Sequence, residues 1–260
     1  MRPLSVKRPA PVRDCVSAQE WTARVELAAG YRVLAHYGVD DLTYNHFSLR
    51  VPGEPAHMLI KRKEEMFCEV KASSLVKHDL DGNALVPDDA PRCAGGPLII
   101  HAGLLRQRPD LNAVLHTHTP AVIGVSAHVG GLLPLSQHAM RFHGSLRYHD
   151  FQGLEFDPEM TGRLVRDLDG ETCMLLRHHG ALVCGGSVAE CVVTHHWLEM
   201  ACRAQIAALS AGEGRYRMPD DEACSYAHRQ IAESAAFLSG GRDWQACVRL
   251  ADRLDPSYRD

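Results

Sequence analysis

Short apolar runs, each cut off by proline, glycine or a charged cluster, alternate along this chain with longer stretches of helical spacing. That alternation restricts it to an architecture in which helices cover a sheet. Ser17 and Glu20 form a capping box, Ser17 as N-cap and Glu20 reaching back. Trp21, Val25, Ala28 and Tyr31 follow at helical spacing, and Gly38 stops a helix predicted over 18–37. Leu42–Val51, Met58–Ile60 and Met66–Val70 read as antiparallel strands among Pro52, Gly53 and Pro55, and Asp81-Gly82-Asn83 is a tight-turn signal. A helix from Pro97 ends at Arg108 before Pro109. Ala113–His118 is a strand, and Thr119-Pro120 caps a helix to about 128. Leu132–Leu135 and Leu146–Tyr148 read as short strands, 158–168 as a helix, and Thr172–Leu176 and Ala181–Cys184 as strands around a His-His-Gly turn. A second capping box, Ser187 to Glu190, opens the longest helix, to about Ala211. Two polar helices, 219–238 and 243–253, close the chain. Residues 1–16, with three prolines, read as a loose arm before one α/β domain over 17–260, its sheet mixed but largely antiparallel.

Composition removes several function classes. With 32 acidic against 28 basic residues and a net charge of -4, a general nucleic-acid binder is not expected. No apolar run reaches the roughly 18 residues of a membrane span. Arg2, Lys7 and Arg8 are followed by no apolar stretch, so the first residues do not read as a secretory leader. The nine cysteines form no CxxC pair, and Cys173, Cys184 and Cys202 sit inside apolar runs. They read as reduced core thiols of a cytoplasmic protein.

Histidine is the unusual residue, at 16 positions. His116 and His118 flank Thr117 at the end of an apolar strand, where positions i and i+2 share one face. Both imidazoles can reach one ion, but zinc-like ions want at least three protein ligands. The third could come from His178-His179-Gly180, where the glycine permits a tight turn. An HxH pair alone reads more readily as two hydrogen-bonded strand histidines, and the added histidine-glycine turn brings the metal reading level with it. His101, among apolar helix neighbours, reads by itself as a buried core histidine. His195 and His196 are adjacent on a helix and point about 100° apart, so they read as structural or interface residues. His143 and His149 read as polar surface or mouth residues. Lys61-Arg62-Lys63-Glu64-Glu65 mixes signs and reads as a solvated hairpin. Arg141 and Arg177 could each fork a substrate carboxylate or make a structural ion pair.

Arg108-Pro-Asp-Leu-Asn-Ala-Val-Leu-His-Thr-His118 resembles the metal-binding stretch of class II aldolases of the fuculose phosphate aldolase type, and of the adducin head domain. Leu175–Cys184 with the following helix resembles that family's third-ligand turn. Gln137–Gly144, Tyr148-His-Asp150 and Leu254–Tyr258 resemble a bacterial adducin-like branch. The resemblance spans about 18–258. It implies an αβα sandwich around a mostly antiparallel sheet of about nine strands, and a homotetramer with sites at subunit interfaces. It assigns the metal to His116, His118 and His179, and matches Asn45 to a backbone-contacting asparagine, here a substrate-binding candidate with Arg141. The adducin head lacks such ligands, so their retention here favours a working site.

The departures bear on chemistry. Pro97 stands where the aldolases have a proton-transferring glutamate, and Gly95-Gly96 where they have phosphate-binding serines. Lys61–Glu64 replaces their phosphate turn, and Ala139 an interface tyrosine. A phosphorylated substrate is therefore not expected, and His101 and His138 become the candidates for the missing acid/base role. The expected function is a divalent-metal-dependent carbon–carbon lyase, aldolase or decarboxylase, acting on a small unphosphorylated oxo or hydroxy acid or carbonyl compound through a metal-stabilised enolate. Zinc is the expected ion, with manganese or iron as alternatives. Two other readings stand beside it: a non-heme Fe(II) oxygenase of the same fold, and a non-catalytic adducin-like scaffold.

Overall fold

β5 (Ala113–Thr117) is buried at every position, as a strand covered on both faces must be. It lies inside an eight-stranded sheet in the protein's structure, a computed structural model that describes residues 10–87, 90–154, 157–212, 214–234 and 241–260. The other strands are β1 (His46–Val51), β2 (Glu54–Ile60), β3 (Val76–Asp79), β4 (Ala84–Val86), β6 (Arg147–His149), β7 (Cys173–Leu176) and β8 (Gly180–Gly185). Their order is β4-β3-β2-β1-β5-β8-β7-β6, every neighbouring pair antiparallel except β6 with β7. β3 and β4 pair across the turn at Asp81-Gly82-Asn83.

The expected fold class holds, with eight strands among the described residues instead of about nine. Leu132–Leu135 is not a strand because side chains take its donors: Leu132 N–H donates to Tyr148 Oη and Leu133 N–H to Gln205 Oε1. Met66–Val70 holds a single 3₁₀ turn, Phe67–Glu69.

The helices are α1 (Ala18–His36), α2 (Gly103–Gln107), α3 (Pro120–Ala127), α4 (Gln137–Met140), α5 (Met160–Leu168), α6 (Val188–Leu209), α7 (Asp221–Glu233) and α8 (Arg242–Leu254). A π turn, Pro97–Ala102, leads into α2. The expected helix over 219–238 ends at Glu233, and residues 235–238, like 1–9 of the expected arm, lie outside the described residues.

Strand alternation sorts the core into two layers. Phe47, Leu115, Leu175 and Val183 pack with Leu27, Leu34, Val122 and Val192 of α1, α3 and α6. Val114, Met174, Leu176 and Leu182 pack on the other face with Ile100, Leu104 and Leu164. Ser17 and Ser187 cap α1 and α6, each Oγ accepting from the backbone three residues on. Glu190 reaches back to Gly186 N. Glu20 does not reach back, since its carboxylate turns inward to Arg24 at 2.8 Å and Lys77 at 3.0 Å. Burying that carboxylate beside two cations outcompetes the surface cap.

Candidate metal centre

β5 ends at Thr117, and alternation turns His116 toward the π-turn face while Thr117 meets His195 of α6. β8 lies antiparallel beside β5 and begins at the β7–β8 turn, which brings His179 to the same strand end. The three Nε2 atoms form a triangle: His116–His118 at 2.9 Å, His118–His179 at 3.0 Å and His116–His179 at 3.3 Å. Two imidazole nitrogens on one tetrahedral zinc-like ion stand about 3.3 Å apart. The residues present therefore fit a divalent ion.

Groups behind the rings orient them, the usual arrangement around metal-binding histidines. His116 Nδ1 bonds the Ala181 carbonyl at 2.9 Å, and His118 Nδ1 bonds Asp41 Oδ2 at 2.9 Å. Burial, with the neighbouring rings of His46, His118 and His179, holds the His116 pKa well below the usual histidine range, which keeps it in the neutral, ligating form. Asn45 is buried; its Oδ1 accepts from His118 N–H at 3.0 Å, and among the described residues its Nδ2 has no partner.

The turn works differently from the sequence expectation. His178, not Gly180, takes the left-handed conformation, φ +60°. Gly180 is needed for close approach, because a Cβ there would lie 2.1 Å from the Thr117 carbonyl oxygen.

His101 is fully buried on the π turn. Its Nε2 is 2.6 Å from His46 Nδ1 and its Nδ1 2.7 Å from Ser48 Oγ. Burial, with the nearby His116, pushes its pKa down to about 3. It stands one layer behind the histidine triangle and reaches it through His46, whose ring centroid is 5.1 Å from that of His116. Sequence reasoning missed His46. The β1–β5 register sets it directly opposite His116. The one available signal was its position beside Asn45 at the head of an apolar strand.

His138 of α4 and Arg141, the residue that follows the helix, gather around another centre. His138 lies on the Trp197 indole at 4.5 Å and the Arg141 guanidinium over the same ring at 5.1 Å. Of the two readings for Arg177 the structure shows the ion pair, with Asp150 at 3.5 Å; it also donates to the Ser126 and His128 carbonyls at 3.2 Å and lies over Tyr148. His149 is not a surface or mouth residue; it is buried and bonds Asp167 at 2.5 Å. Lys61 is not part of a solvated hairpin. It is buried, donates to the Thr43 and Arg62 carbonyls, and desolvation lowers its pKa to about 8. Thr119 donates its hydroxyl to Glu199 at 2.5 Å instead of capping α3.

Residues 25–206 match the family model described as "Class II Aldolase and Adducin N-terminal domain". A Caulobacter vibrioides protein named for the class 2 aldolases is 39% identical over 94% of this chain and 95% of its own. Rat alpha-adducin is 33% identical over 89% of this chain, which spans a third (33%) of that protein. The crystal structure of an aldolase II superfamily protein from Pseudomonas syringae superposes with a TM-score of 0.89 at 42% identity, covering 96% of this chain and 99% of that one. With the fold, the strand-end histidines and the matched span in agreement, the chain belongs to the class II aldolase and adducin N-terminal domain family.

Proposed function

We propose that this protein is a divalent-metal-dependent carbon–carbon lyase, an aldolase or decarboxylase, acting on a small unphosphorylated oxo or hydroxy acid or carbonyl compound. The observation that carries the reading is the Nε2 triangle, its edges 2.9–3.3 Å, with oriented outer partners. His116, His118 and His179 would hold the ion, zinc first, with manganese or iron as alternatives. When bound, the ion supplies a Lewis acid at the substrate oxygen.

The chain's own groups do the rest. Asn45 fixes the His118 backbone and keeps its amide Nδ2 available as a donor. His101, bonded at both ring nitrogens, positions His46 beside the triangle. Of the two acid/base candidates, His101 is buried with both ring nitrogens bonded and takes the positioning role, which leaves His138 for proton transfer, with Arg141 the candidate for a substrate carboxylate. His138 sits on α4 and Arg141 directly after it, and they fit a cytoplasmic homotetramer in which this segment faces a neighbour's site. The unphosphorylated substrate is supported by Lys61, whose ammonium is held by two backbone carbonyls, and by Pro97 and Gly95-Gly96, which offer no hydroxyl or carboxylate.

The test is elemental analysis of purified protein beside a His116→Ala/His118→Ala control, followed by cleavage and decarboxylation assays on a panel of oxo and hydroxy acids. About one ion per chain, lost in the control, with turnover of a panel member, is the expected result. Oxygen uptake with Fe(II) would point to the oxygenase instead. The likeness to alpha-adducin favours one further reading, a non-catalytic oligomeric scaffold. A wild-type protein that takes up no ion after incubation with zinc, manganese or iron would support that reading and sink the lyase.

A further inference from the structure

Behind the strand end that carries the histidines, on the α6 side of the sheet, a cavity of about 570 Å³ opens between α1, α6 and α8. That volume suits a small-molecule ligand. Tyr37, His196 and Trp197 form an aromatic wall, with ring centroids 4.9 Å apart for Tyr37–His196 and 6.1 Å for His196–Trp197. The lining charges pair off with one exception. Glu199 accepts from Arg203 at 2.6 Å, and Asp243 lies 2.9 Å from Arg242. Arg253 has no carboxylate partner among the described residues, so the lining carries one surplus positive charge. Fully buried His195 also lines the cavity; its Nε2 is held by Thr117 Oγ1 at 2.7 Å and its Nδ1 has no partner among the described residues. A buried polar atom without a partner is uncommon and marks a place where a ligand or water completes the bonding.

We infer that this cavity is a second binding site, for a small planar monoanion of the aromatic or heteroaromatic carboxylate class. The aromatic wall takes the ring and the surplus guanidinium the carboxylate, which it matches in a two-pronged geometry. The site uses none of the histidine triangle, and it shares only the Trp197 ring with His138 and Arg141.

The test is calorimetric titration of the full-length protein with benzoate, with cyclohexanecarboxylate and benzylamine as probes lacking the planar ring or the negative charge. Benzoate should bind with Kd at or below about 1 mM. The His116→Ala/His118→Ala protein should bind it equally well. Arg253→Gln and Ala246→Trp, both at exposed positions, should weaken it at least tenfold. Equal binding of cyclohexanecarboxylate or benzylamine would overturn the assignment, as would loss of benzoate binding in the histidine variant. So would no binding together with a changed oligomeric state in Ala246→Trp, which would make the groove an interface between copies of the chain.

Discussion

The Nε2 atoms of His116 and His179 lie 3.3 Å apart although the residues are 63 positions apart in the chain. Antiparallel pairing of β5 with β8 closes that distance, and Asp41 and Asn45, from the connection between α1 and β1, then brace His118 from outside. Replacing an outer partner should loosen the ion without harming the fold. Asp41→Ala should weaken zinc binding by about 10–100-fold, read by competition with a chelator. The Asp41 side chain is 41% exposed, so the urea midpoint should barely move. Unchanged affinity would remove the bond to His118 Nδ1 from the description of the site.

Gly180→Ala should damage both fold and site. The added methyl would stand 2.1 Å from a backbone oxygen of the neighbouring strand, and neither partner is a flexible side-chain end. A loss of about 2–4 kcal/mol in urea unfolding is expected, with weaker zinc binding because the turn displaces His179. His178→Gly, which relieves the left-handed residue, should be neutral to stabilising by up to about 1 kcal/mol.

Glu20, Arg24 and Lys77 form a buried ionic cluster between α1 and β3, and Arg24 also donates to the Leu75 carbonyl at 2.6 Å. Removing Glu20 leaves the buried Arg24 guanidinium without a carboxylate, while Lys77 keeps Glu54 at 2.5 Å. Glu20→Gln should cost about 3–5 kcal/mol, whereas Glu20→Met with Arg24→Met should recover a good part of that loss. Denaturant unfolding of the three proteins decides it, and a double variant no better than the single one contradicts the account.

Stability should fall on mild acidification. Burial pushes the His195 pKa down to about 4, while the unfolded chain titrates this residue near 6.5. Between those values the unfolded state binds the extra proton, so stability falls as pH falls, by up to about 1.4 kcal/mol per pH unit. The contribution is complete above about 6.5 and levels off below about 4. His195→Gln should flatten the stability profile between pH 7 and pH 4.5 by about 2 kcal/mol, measured by urea unfolding at each pH.

The sequence is most legible where one short segment holds all the information. The capping serines, the Asp81-Gly82-Asn83 turn, the strand before His116 and the long α6 follow from spacing that a few residues enforce. It is least legible at Leu132–Leu135 and Lys61, where partners such as Tyr148, Gln205 and the Thr43 carbonyl decide the outcome from elsewhere in the chain. It conceals His46 for the same reason, since nothing near Asn45 announces that β1 pairs with β5.

By itself, the sequence determined the order of helices and strands outside Met66–Val70 and Leu132–Leu135, the two-sided burial of the central strands and the pair of histidines on one strand face. Those depend on side-chain periodicity and on contacts within about four residues. The tertiary structure decided the register that sets His46 opposite His116, the close approach at Gly180 and the layer that hides His101. It also opened the cavity between α1, α6 and α8. Register and packing are settled by burial summed over segments far apart in the chain, and that sum exists only once the sheet has closed.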